Sequence, residues 1–140
     1  MRRELGRADV VVAKLDAPNE ELIRQINRPK VSYTLDEIIE AIRLFRGEYQ
    51  GKLALQMMFV DANRSYAPQM ARLAEKLSPD EVQLNTPLRP CAVNPLTPEE
   101  ITAIRHEFSG LKGVVTVYEA LRPKDTPLNP KETLRRRPRL

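Results

Sequence analysis

Short apolar runs alternate along this chain with stretches whose apolar residues recur every three or four positions. The first run, Val10-Val11-Val12-Ala13-Lys14-Leu15, is β-branched and reads as a buried strand over 10–15. Pro18 and Asn19 then open a short helix with Leu22, Ile23 and Ile26 on one face, closed by Arg28-Pro29. Thr34 and Glu37 have the spacing of a capping box, and Leu35, Ile38, Ile39, Ile42 and Phe45 follow at helical intervals until Gly47 and Gly51. The run at 53–60 predicts a second strand. It is apolar on both faces apart from Gln56, as expected of a parallel strand covered on both sides. Ser65 is the expected cap of the next helix, Pro68 fits its first turn, and Met70, Leu73, Ala74 and Leu77 form its buried stripe before Ser78-Pro79-Asp80. A third strand spans 81–85. Thr97-Pro98-Glu99-Glu100 starts a helix that turns Ile101, Ile104, Phe108 and Leu111 inward and ends at Gly110 and Gly113, and a fourth strand spans 114–118.

This alternation of strands and helices implies a parallel sheet with right-handed crossovers. An open doubly wound sheet and part of a βα barrel both satisfy it. In either, chemistry belongs at the carboxyl ends of the strands. Those ends are polar: Lys14-Leu15-Asp16-Ala17, Asp61-Ala62-Asn63-Arg64 and Asn85-Thr86-Pro87. Residues 1–121 are read as one domain. Residues 122–140, rich in proline and charge and ending in a basic run at 135–139, are read as a flexible tail.

Composition narrows the chemistry. At 41% apolar and 5% aromatic, the 140 residues support a modest aliphatic core. No apolar run is long enough to span a bilayer, the N-terminus lacks a signal-peptide stretch, and the cytoplasm is the expected compartment. Cys91 stands alone, which excludes an internal disulfide or a metal site built from several cysteines of this chain. The single histidine, His106, has no partner at ligand spacing, so no metal residues are expected. No nucleophile elbow, Walker loop or dinucleotide fingerprint occurs.

Three segments carry a resemblance. Leu-Asp-Ala-Pro-Asn at 15–19, Ile-Asn-Arg-Pro at 26–29 and Gln-Leu-Asn-Thr-Pro at 83–87 resemble the second half of radical S-adenosylmethionine (radical SAM) proteins, in the branch related to the wyosine-forming tRNA enzymes. The resemblance implies the carboxyl half of a partial parallel βα barrel. It also implies S-adenosylmethionine and a [4Fe-4S] cluster as cofactors. The family's Cys-x3-Cys-x2-Cys loop, which ligates the cluster, is absent from this sequence. The chain alone is therefore expected to have no catalytic residues and no autonomous radical chemistry.

By the same resemblance Lys14, Asp16, Gln56 and Asn85 would face S-adenosylmethionine, and Thr86 and Arg89 the substrate. Lys14 and Asp16 share a strand face and also satisfy each other as a neighbouring charge pair. Gln56 is the one polar residue in its strand and wants a partner. Asn63 suits a hydrogen bond to turn backbone. The expected partner is the missing amino-terminal half of the barrel, or a second copy meeting the unpaired first strand. RNA enters through the basic run at 135–139, which no aromatic stacking platform accompanies. The alternative function is a non-catalytic module that binds RNA or a protein.

Overall fold

The computed structural model describes residues 2–89 and 91–119; the predicted tail at 122–140, with its basic run, lies outside the described residues. Four strands, β1 (Val10–Lys14), β2 (Lys52–Met58), β3 (Glu81–Asn85) and β4 (Val114–Thr116), form one parallel sheet in the order β1-β2-β3-β4. Five helices accompany them: α1 (Arg2–Leu5), α2 (Glu20–Asn27), α3 (Leu35–Glu48), α4 (Ala67–Leu77) and α5 (Pro98–Glu107). Among the described residues the order never reverses, so this sheet shows no switch point of a doubly wound fold. The helices α3, α4 and α5 pack on one face of it. This is the architecture of a partial parallel βα barrel, with helices outside and the other sheet face turned inward.

The helix-facing side of the sheet supplies the core. Leu53, Leu55, Met57 and Phe59 project from β2 and its extension, Val82 and Leu84 from β3, and all are fully buried. They meet Ile42 and Phe45 of α3, Met70, Ala74 and Leu77 of α4, and Ile101 and Ile104 of α5. Each large side chain so buried contributes about 1.5–3 kcal/mol. Phe59 and Phe108 meet edge-on at 6.2 Å, and Phe45 stacks on Tyr49 at 4.7 Å. A smaller cluster of Ala17, Leu22 and Ile23, flanked by Tyr33 and Tyr66, seats α2 at the carboxyl end of the sheet.

The inner face is different, and here an expectation is corrected. The second strand is not covered on both sides: Gln56 and Met58 on the inner face are half-exposed, and only the small Ala54 is buried there. On β1, Val10 and Val12 are each 49% exposed. The wall that would cover this face in a closed barrel is not formed by the described residues.

Local signals decide most helix ends. Thr34 with Glu37 and Thr97 with Glu100 form complete capping boxes, and Asn19 caps α2 by accepting from the Leu22 N–H at 2.9 Å. Two ends differ from expectation. Ser65 caps nothing, because a 3₁₀ turn (Arg64–Tyr66) runs straight into α4, whose Pro68 needs no partner for a missing N–H. Gly47 lies inside α3, which ends at Glu48 with Tyr49 folded back over Gly51. At Gly113, φ is +70° and an added Cβ would stand 2.6 Å from the Asp80 carbonyl, so glycine is required where β4 begins.

Candidate functional site

The carboxyl ends of β1 and β2 are locked together by two buried polar side chains. Asp16, 2% exposed, follows β1, and its Oδ1 accepts from the Met58 N–H at 2.9 Å. Asn63, fully buried, follows β2. Its Oδ1 accepts from the Val60 N–H, and its Nδ2 donates to the backbone carbonyls of Asp16 and Met58, all at 2.8 Å. Asn63 thus does more than the turn bond expected of it: it ties the end of β2 to Asp16, 47 positions earlier in the sequence.

Asp16 keeps one oxygen uncommitted. Its Oδ2 is buried and has no hydrogen-bonded partner, although the Lys14 ammonium stands 3.1 Å away as an ion pair. The distance makes a charge pair, but the donor geometry falls short of a hydrogen bond. Lys14 is more than half exposed, so its attraction acts largely through solvent. A buried carboxylate oxygen without a donor is uncommon. Asp16 therefore retains, at the carboxyl end of β1, an acceptor oxygen whose only polar neighbour given is the Lys14 ammonium.

Across the inner face the register aligns Lys14, Gln56, Gln83 and Val115 in one row, with Met58 and Asn85 paired one step nearer the carboxyl end. Three of the predicted residues, Lys14, Gln56 and Asn85, therefore lie on adjacent strands of one surface, with Asp16 beside them at the rim. Gln56 has its partner within the sheet. Its Nε2 lies 3.5 Å from Gln83 Oε1, and Gln83 in turn donates to Glu81 Oε1 at 2.8 Å. Lys52 completes the chain at Glu81 Oε2, 2.5 Å away. That bond first, and the Gln83 bond second, hold the Glu81 carboxyl below its usual range. Glu81 and Lys52 lie at the amino end of the face, so the bonded network runs from there to the Gln56–Gln83 row.

Thr86 and Arg89 are placed differently. Thr86 is buried, and its Oγ1 accepts from the Leu96 N–H at 2.9 Å. Tyr118 donates to the Leu96 carbonyl at 2.6 Å. Together they pin the far end of the loop after β3. Arg89 is exposed on that loop. His106 is exposed on α5, and Cys91 is exposed with its Sγ 3.2 Å from the Val93 carbonyl. Among the described residues, no three His, Cys, Asp or Glu side chains group as metal ligands. Among them also, no helix is long and apolar enough to cross a membrane.

Comparison with known proteins places this geometry. No family model matches the chain. It is 32% identical over 107 residues to the UPF0026 protein MJ1312 of Methanocaldococcus jannaschii, covering 74% of this chain and 33% of that one. It is 34% identical over 91 residues to the UPF0026 protein slr1464 of Synechocystis, covering 64% and 34%. The chain thus spans about a third of the length of these curated relatives. In three dimensions it matches a radical SAM methyltransferase from Sphaerobacter thermophilus with a TM-score of 0.65 and 23% identity, over 82% of this chain and 36% of that one. The likeness is one of fold: the chain shares the partial parallel βα barrel of one part of that methyltransferase.

Proposed function

We propose that this chain is the carboxyl half of a radical SAM-type barrel of the wyosine-related branch, presenting the surface that faces S-adenosylmethionine and substrate. One observation carries the reading: the buried, unsatisfied Asp16 Oδ2 beside Lys14 sits at the carboxyl edge of a half-open inner face, where such a barrel does its chemistry. Asp16 would accept from a hydroxyl or the ammonium of S-adenosylmethionine, Lys14 would meet its carboxylate, and Gln56 and Asn85 would bond its remaining polar groups. S-adenosylmethionine, bound to a reduced iron–sulfur cluster, supplies a carbon radical in such enzymes.

The cluster itself does not fit this chain. Cys91 is a single exposed thiol on the loop after β3, and a four-iron cluster needs several thiolates. On this reading the rest of the barrel is the chain's partner and supplies the cluster ligands. The uncovered β1 edge supports that partnership. A groove of about 860 Å³ runs beside it, lined by Leu5, Val11, Val12, Ile42, Leu44 and Phe45. A preceding βα unit would pair with β1 and fill this groove; a second copy of the chain would meet the same unpaired backbone groups.

Titration of the isotope-labelled chain with S-adenosylmethionine tests the reading. Weak binding with amide shifts at Lys14, Asp16, Gln56 and Asn85 is expected, because half the site is missing and preorganisation is lost. Shifts centred on Gly51 and Pro79, at the opposite end of the sheet, would refute it.

A further inference from the structure

We propose that the cleft between α2 and the segment leading to α3 is a binding site for a phosphate group, independent of the inner face. The cleft encloses about 340 Å³, at the lower end of ligand-sized pockets. Arg24, Arg28 and Lys30 line it, with Glu20 as the one lining carboxylate. Glu20 is committed to Arg24 at 3.2 Å. Neither Arg28 nor Lys30 forms an ion pair among the described residues, so the three basic side chains of the cleft outnumber its one carboxylate by two. Ser32 and Tyr33, which also line it, add residues able to donate hydroxyl hydrogen bonds.

The backbone at Arg28 is the second observation. Arg28 ends α2 in the left-handed conformation, with φ 44° and ψ 56°. Glycine takes this conformation at no steric cost and is the usual residue there. Among the described residues the other non-glycine residue with positive φ is Ser78, whose short side chain bonds the Glu75 carbonyl at 3.2 Å. Arg28 makes no such local bond. An arginine held where glycine is favoured carries a backbone cost that a use for its side chain would offset. A guanidinium beside an ammonium is the pairing that recognises phosphate oxygens: the first as a planar fork, the second as a point charge.

Titration of the chain at constant ionic strength tests this, with amide shifts and calorimetry as readouts. The probes are inorganic phosphate and, separately, a single-stranded RNA oligomer, with chloride as control. Saturable binding with shifts at residues 28–33 is expected. Saturation by phosphate alone identifies a small phosphorylated ligand. Binding of the oligomer alone, with steep salt dependence, identifies a phosphodiester backbone. Arg28→Gly should lower affinity at least tenfold while leaving the urea midpoint unchanged or raised, since the left-handed strain is relieved. Lys30→Ser, at a position without positive φ, should lower it comparably. Shifts reproduced by chloride, no saturation by either probe, or full affinity in both variants would overturn the proposal.

Discussion

Replacing Asn63 by alanine removes three hydrogen bonds from a site that water does not reach. The Val60 N–H loses its acceptor, and the carbonyls of Asp16 and Met58 lose their donors. A buried backbone group left unpaired costs about 1–3 kcal/mol. The N–H has one bonding capacity and is orphaned outright, so it belongs near the middle of that range. The carbonyls, with two lone pairs each, belong near its lower end. The sum is about 4 kcal/mol, against a total of about 5–15 kcal/mol for a domain. Urea unfolding followed by far-ultraviolet circular dichroism measures it directly. Asn63→Asp sharpens the test: it keeps an acceptor for Val60 but turns two donors into an acceptor facing two carbonyls. It should therefore be at least as destabilising as alanine. The amide shift of Met58 should move in both variants, because its bond to Asp16 depends on the same clamp. A loss below about 1 kcal/mol in Asn63→Ala, well under the cost of one mid-range orphan, would refute the reasoning.

Other perturbations test other parts of the fold. Gly51→Ala places a Cβ against the Tyr49 hydroxyl and 2.9 Å from the Asp9 carbonyl, so it should cost about 1–3 kcal/mol by overpacking and weaken the 2.7 Å bond from Tyr49 to the Ala8 carbonyl; thermal unfolding reads the loss. Asp80 is held below the usual carboxyl range, chiefly by the Leu53 N–H and then by Arg46, and Glu81 chiefly by Lys52. Their contribution to stability is present above the unfolded-state carboxyl values and is lost as pH falls below about 4 through the depressed folded values. Asp80→Asn should flatten that acid limb in urea titrations between neutral pH and the acid limb, and an unchanged slope would count against it. Val12→Lys puts charge on the open face beside the β1 edge, so light scattering should show less self-association than in the parent chain.

Much of this architecture was legible in residues 10–119 because its signals are local. A capping box needs only Thr34 and Glu37, or Thr97 and Glu100, and forms wherever a helix starts there. Strands buried on their helix-facing side announce themselves as apolar runs, and their alternation with helices dictates a parallel sheet. The side-chain period of two by itself places Lys14 with Asp16 and Gln83 with Asn85.

Other features depend on contacts between residues far apart in the chain. Asn63 reads as a turn residue until β1 is laid beside β2 and its amide meets the Asp16 carbonyl. Ser65 looks like a cap, yet the 3₁₀ turn ahead of α4 leaves it no helix start to cap. Thr86 looks free to meet a ligand, but the returning loop brings the Leu96 N–H to its hydroxyl. Nothing in Ile-Asn-Arg-Pro announces that Arg28 takes a left-handed backbone. Nor does the apolar run of β2 announce that one of its faces stays half-open, because exposure is set by what the rest of the sheet brings against it. Periodicity and capping are properties of neighbouring residues and are encoded in order along the chain. Burial, hydrogen-bond commitment and charge compensation are properties of surroundings, and those exist only once the sheet has assembled.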